Sequence, residues 1–71
     1  MQPVMTIDED GDTVWRLPNR KIHRTDGPAV EYADGGKQWR LHGKYMSFDY
    51  WLIANTEISE EDKVMMKLQY G

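Results

Sequence analysis

The sequence predicts an α+β fold, a four-stranded antiparallel β-meander of two hairpins followed by two short C-terminal helices. Three observations carry this reading. Laid over itself with a shift of 24, "DGDTVWRLPNRKI" (Asp10 to Ile22) matches "DGGKQWRLHGKYM" (Asp34 to Met46) at Asp-Gly, at Trp-Arg-Leu, and at a basic residue followed by an apolar one. A repeat of this length marks one supersecondary unit used twice. Each copy alternates apolar and polar residues around its Asp-Gly, the period-2 pattern of strands joined by a turn whose glycine accepts positive φ cheaply. After Met46 the apolar spacing becomes helical.

Taken in order, "VMTI" leads through "DEDGD" to "TVWRL", and "AVEY" leads through "ADGG" to "KQWRLHG". Strands are therefore predicted near 3–7, 12–18, 28–33 and 37–42. Trp15 and Leu17 share one face, Trp39 and Leu41 are the corresponding pair, and Val30 and Tyr32 join one of these faces. Ser47 is a good cap, and Phe48, Trp51 and Leu52 stand at helical spacing, which predicts a helix over 48–54 that "NTE" breaks. Ser59 followed by Glu60, Glu61 and Asp62 is a second helix start, with a capping hydroxyl and acids where the dipole favours them. Val64, Met65 and Leu68 are its expected buried stripe. The organisation is one domain over 1–71, a hairpin-repeat region 1–46 with a helical cap 47–71 that covers the apolar face of the sheet.

A chain of 71 residues buries a modest core. The absence of cysteine removes disulfides, thiolate catalysis and Cys-type zinc sites, and fits a reducing compartment. With 39% hydrophobic and 30% charged residues, the composition is that of an ordinary globular domain, and wholesale disorder is not expected. The longest apolar run is too short for a transmembrane span or a signal-peptide core, so no membrane association and a cytoplasmic location are expected. The net charge of −3 argues against general affinity for nucleic acid. Its distribution is uneven, because residues 8–12 hold four acids, residues 57–62 hold four more, and seven of nine Lys and Arg lie between 16 and 44.

His23, Arg24 and Asp26 are residue types that orient general bases and clamp anions. Residues so close along a non-helical segment seldom converge on one substrate, and no activated Ser or Cys accompanies them. A hinge of the sheet explains the same residues: Asp26 accepts hydrogen bonds in a turn, Gly27 takes positive φ, Pro28 pre-sets φ for the next strand, and His23 or Arg24 pairs with Asp26 or a strand carbonyl. No metal site is predicted, since His23 and His42 are 19 residues apart without a further close ligand and "DEDGD" lacks the spacing of a calcium loop. No cofactor and no catalytic residue are expected. Alternation places Arg16 and Arg40 on the face opposite the tryptophans, and with Lys44 they make it basic.

The stretch from Trp15 to Leu52, with "HRTDGPAVEYADG" at its centre, resembles the short His-Arg-x-Asp-Gly-Pro-Ala repeat proteins of tailed bacteriophages, which are distantly similar to MORN-type hairpin repeats. His23, Arg24, Asp26, Gly27, Pro28, Ala29, Asp34 and Gly35 carry the resemblance, with Trp15 and Trp39 flanking. Asn19-Arg20 stands where that family has Gly-Lys, and a second His-Arg motif never arrives, because "GKYMSFDYWL" turns into a helix. The resemblance implies a viral protein without enzymatic activity, acting in the host bacterial cytoplasm by binding and inhibiting or redirecting a bacterial host protein, such as a defence nuclease complex or a polymerase. The candidate contact residues are Arg16, Arg40 and Lys44 on the basic face, or Asp8, Glu9, Asp10 and Asp12 in the acidic turn. A module binding single-stranded nucleic acid through the basic strands is the rival, suggested by Trp15-Arg16, Arg20-Lys21, Trp39-Arg40 and Lys44-Tyr45. A homodimer through an open edge strand is a third option.

Overall fold

The computed structural model describes residues 2–70. Its elements are β1 (Val4–Ile7), β2 (Thr13–Arg16), β3 (Val30–Glu31), β4 (Lys37–Leu41), β5 (Lys44–Met46), α1 (Phe48–Ala54) and α2 (Glu60–Tyr70). The strands form one antiparallel meander in the order β1-β2-β3-β4-β5. The predicted α+β class is observed, with five strands rather than four.

The fifth strand arises from a two-residue turn. His42 and Gly43 both have positive φ, at 52° and 85°, as a tight hairpin with the right-handed twist of its strands requires. Leu41 therefore pairs with Lys44, Arg40 with Tyr45 and Trp39 with Met46. The other turns share a different, three-residue geometry. In 8–12, 17–21 and 32–36 the first residue's N–H donates to the fifth residue's carbonyl, and the fourth residue's N–H donates back to the first. The fourth position has positive φ in each: Gly11, Arg20 and Gly35.

The predicted strand over 28–33 shortens to two residues because another segment occupies its place. Ile22 bridges to Arg16 on β2, Gly43 N–H donates to the Ile22 carbonyl, and Arg24 N–H donates to the Arg40 carbonyl on β4. Residues 22–24 thus lie between β2 and β4 at one end, β3 lies between them at the other, and residues 25–28 loop out.

The pairing sets two faces. Val14, Val30 and Gln38 stand in one cross-strand row, so Val30 shares a face with Gln38 and not with Trp39. On the other face Trp39 joins Trp51, Leu52 and Met66, with Leu41, Met46, Phe48, Ile58 and Tyr70 packed around them. Trp51 is fully buried, its ring centroid 4.7 Å from that of Trp39. Helix α1 forms where predicted, with Ser47 Oγ accepting from Tyr50 N–H at 3.2 Å and Asn55 as its C-cap. Ser59 Oγ likewise accepts from Asp62 N–H at the start of α2.

One expectation for α2 is overturned. Val64, Met65 and Leu68 are exposed, and Met66 is the buried residue, with Tyr70 one turn later packed edge-on against Trp39. Tyr70 and Met66 are spaced i, i+4 and define the face that meets the core, leaving the more apolar stripe outside. Among the described residues no helix is long and apolar enough to cross a membrane.

Candidate functional site

The His23–Pro28 segment is a strut between the sheet and α1. Arg24 is its hub. The guanidinium lies 3.8 Å from the Trp15 ring centroid, donates from Nε to Asp26 Oδ1 at 2.7 Å, and donates from Nη1 to the Pro28 carbonyl at 3.1 Å and to Glu31 Oε1 at 3.5 Å. Its own carbonyl accepts from Trp51 Nε1 at 3.1 Å, and the Thr25 carbonyl accepts from Asn55 Nδ2 at 2.8 Å, so the loop is fastened to α1 at two points. Pro28 and Asn55 are fully buried. Two details of the hinge expectation change. Gly27 is not among the positive-φ residues; its missing side chain matters because a Cβ there would sit 2.7 Å from Arg24 Cζ. Asp26 serves the guanidinium and not a turn N–H.

His23 is buried, and its Nδ1 accepts from the His42 backbone N–H at 2.9 Å. The proton of the neutral ring therefore sits on Nε2. Burial, reinforced by the His42 ring with its centroid 4.5 Å away, lowers the His23 pKa, and the Glu57 carboxylate opposes the shift. His23 and His42 border a half-open cleft of about 730 Å³ that also takes in Leu17, Leu41 and Glu57. The Arg24–Asp26 pair is engaged elsewhere, so the His-Arg-Asp triplet does not converge on this cleft.

The predicted basic face is divided by the β4–β5 turn. A two-residue loop pairs an odd-numbered position with an even-numbered one, so Arg40 faces with Tyr45 while Lys44 faces with Leu41 on the opposite side. Arg16 stays with Arg40, and since both helices pack on the Trp39 face, no helical layer covers these two arginines. Arg16 is exposed and touches Thr6 Oγ1 through Nη1. Arg40 is fixed: Nε donates to Gln38 Oε1 at 2.9 Å, Nη1 donates to the Gly43 carbonyl at 2.9 Å, and Cζ lies 5.7 Å from the Tyr45 ring centroid. Gln38 in turn donates to the Tyr32 hydroxyl. Tyr32, expected on a tryptophan face, lies instead on this one with Gln38 and Tyr45, and His42-Gly43 read as a tight turn would have placed Tyr45 here.

The acidic turn is partly self-satisfied. Asp8 Oδ1 accepts from the N–H groups of Asp10 and Asp12, both at 3.0 Å, and Asp12 Oδ1 accepts from Ala33 N–H at 2.8 Å. The Asp8, Asp10 and Asp12 carboxylates gather within 4.8 Å, with those of Asp8 and Asp12 engaged by backbone N–H groups, and Glu9 is exposed at the tip of the turn.

The chain matches no family model, no curated protein and no solved structure.

Proposed function

We propose that this chain is a non-enzymatic binding module whose working surface is the sheet face opposite the helices, where Tyr32, Gln38, Arg40, Tyr45 and Arg16 stand around buried Val14 and Val30, and that its partner is an acidic surface on a protein. In line with the resemblance to phage repeat proteins, that partner is a bacterial host factor, a defence nuclease complex or a polymerase, which the chain inhibits or redirects by contact. The observation that carries this reading is the chain Tyr32, Gln38 and Arg40, ordered by hydrogen bonds, with exposed Tyr45 next to the Arg40 guanidinium and exposed Arg16 on the same face, which has no helical cover. Tyrosine and arginine are the residue types that dominate interface energetics, and side chains ordered before binding lose less entropy on contact. The chemistry-bearing residues of the His-Arg-x-Asp-Gly-Pro motif support the same reading, because Arg24, Asp26 and His23 are committed to internal hydrogen bonds.

The same face also favours a second reading, since arginine beside aromatic rings on an open sheet suits single-stranded nucleic acid. One experiment separates the two. Tagged wild type, Arg16→Glu and Tyr45→Ala are used to capture partners from bacterial lysate with and without nuclease. A stoichiometric protein that survives nuclease and is captured about tenfold less by either variant supports the first reading. Recovery of nucleic acid, lost on nuclease treatment and falling steeply with salt, supports the second. Capture unaffected by both substitutions sinks the choice of face.

A further inference from the structure

Helix α2 turns its apolar stripe away from the core. Val64, Met65 and Leu68 are 58%, 61% and 78% exposed, and Ile53 on neighbouring α1 is 76% exposed. Apolar side chains clustered on one side of a small protein mark a contact surface. Between the two helices runs a shallow groove of about 410 Å³, bordered by Asp49, Ile53, Glu60, Val64 and Lys67.

The charges on α2 select the occupant. Glu60, Glu61 and Asp62 fill its first turn, while Lys67 stands in its last. Lys63 already meets Glu60 at 3.6 Å, and Lys67 has no ion pair among the described residues. A second α2 laid antiparallel brings the acidic end of each helix to the basic end of the other, whereas a parallel one sets like charges side by side. With the two-fold axis at Val64, residue 67 of one copy lies opposite residue 61 of the other, and Leu68 lies opposite Glu60, at the mouth of the groove. We propose that the chain forms an isologous dimer through antiparallel α2 helices, with Leu68 of each copy seated in the α1–α2 groove of the other. An 11-residue helix is only about 16 Å long, so the contact falls short of the ~800 Å² per partner of a standard interface and the dimer is weak and reversible. The sheet faces opposite the helices point outward in this arrangement, so the dimer is independent of the binding face proposed above and doubles its valency.

Sedimentation velocity on the full chain, from about 5 μM to about 500 μM, tests it. Wild type should pass from monomer to dimer within this range. Leu68→Glu and Lys67→Glu should each raise the midpoint concentration about tenfold or more, with circular dichroism melts at monomer concentrations staying close to wild type because both side chains are exposed. The paired reversal of Lys67→Glu with Glu61→Lys should restore the wild-type midpoint, and Ile7→Lys on the β1 edge should leave it unmoved. A monomer throughout, a dimer lost in Ile7→Lys but not in Leu68→Glu, or a midpoint indifferent to charge at position 67 would overturn the proposal. So would a monomeric chain that instead captures a bacterial protein through Leu68.

Discussion

Trp15 and Trp39 hold the same position in the two copies of the repeat, yet they have different neighbours. Trp39 is buried against Phe48, Trp51 and Tyr70, with ring centroids 4.6, 4.7 and 5.2 Å away. Trp15 is half-buried and carries the Arg24 guanidinium on its ring. Both lie on the same sheet face, so the difference comes from the segment downstream of each copy. The second copy runs into α1, whose Trp51 covers Trp39; the first runs into the His23–Pro28 loop, which covers Trp15 with an arginine. An aromatic core and a cation–π lid are thus two solutions to one problem, the exposed tryptophan of a hairpin too small to bury it.

The largest test of this contrast removes each ring in turn. Trp39→Ala should cost about 3–5 kcal/mol. That is comparable to the whole stability expected of a small domain, about 5 kcal/mol, so the variant should lose its cooperative thermal transition. Trp15→Ala removes a partly exposed ring and its guanidinium contact, and should cost about 1–2 kcal/mol while still folding. Equal losses in urea titrations of the two variants would erase the distinction.

A smaller effect sharpens the description of the lid. Gly27→Ala should push the guanidinium from its seat and cost about 1.5–3 kcal/mol, the worth of hydrogen bonds to a charged group. Arg24→Lys, which cannot reproduce the fork, should cost a similar amount, and the double variant should cost little more than either alone. Additive losses would mean that Gly27 acts on something other than Arg24.

The smallest effect concerns the joint between the copies, where His23 accepts from the His42 N–H. Its folded pKa is lowered by burial, so the unfolded chain takes up this proton first as pH falls below the ordinary value near 6.5. Stability contributed by neutral His23 is intact above that value, declines as pH drops through the window between it and the lower folded pKa, and then levels off. His42 and Glu57 are the titratable groups facing it. Between about pH 7 and pH 5, wild type should lose more of its melting temperature than His23→Asn, whose amide oxygen can replace Nδ1 as acceptor without titrating. Parallel pH profiles would show that the joint does not depend on this ring.

The features legible in the residues alone are local. The repeat, the Asp-Gly turns, the caps at Ser47 and Ser59 and the helix over 48–54 are each specified within a few residues, because turn dihedrals and cap hydrogen bonds involve only near neighbours. Even Arg20 in the left-handed region keeps the loop geometry of its glycine counterparts, since the surrounding hydrogen bonds of 17–21 hold it. Which face each residue occupies is harder to read, because it depends on the length of every turn and on contacts made across the fold. Lys44 left the arginine face because one turn is a residue shorter than the others, and a single residue inverts the parity of everything after it. The insertion of 22–24 between β2 and β4, the gathering of His23, His42 and Glu57 around one cleft, and the outward rotation of Val64, Met65 and Leu68 all depend on partners distant in the chain. Periodicity locates an apolar stripe; only the competing contacts of Met66 and Tyr70 with Trp39 and its neighbours fix the side of the helix that meets the core.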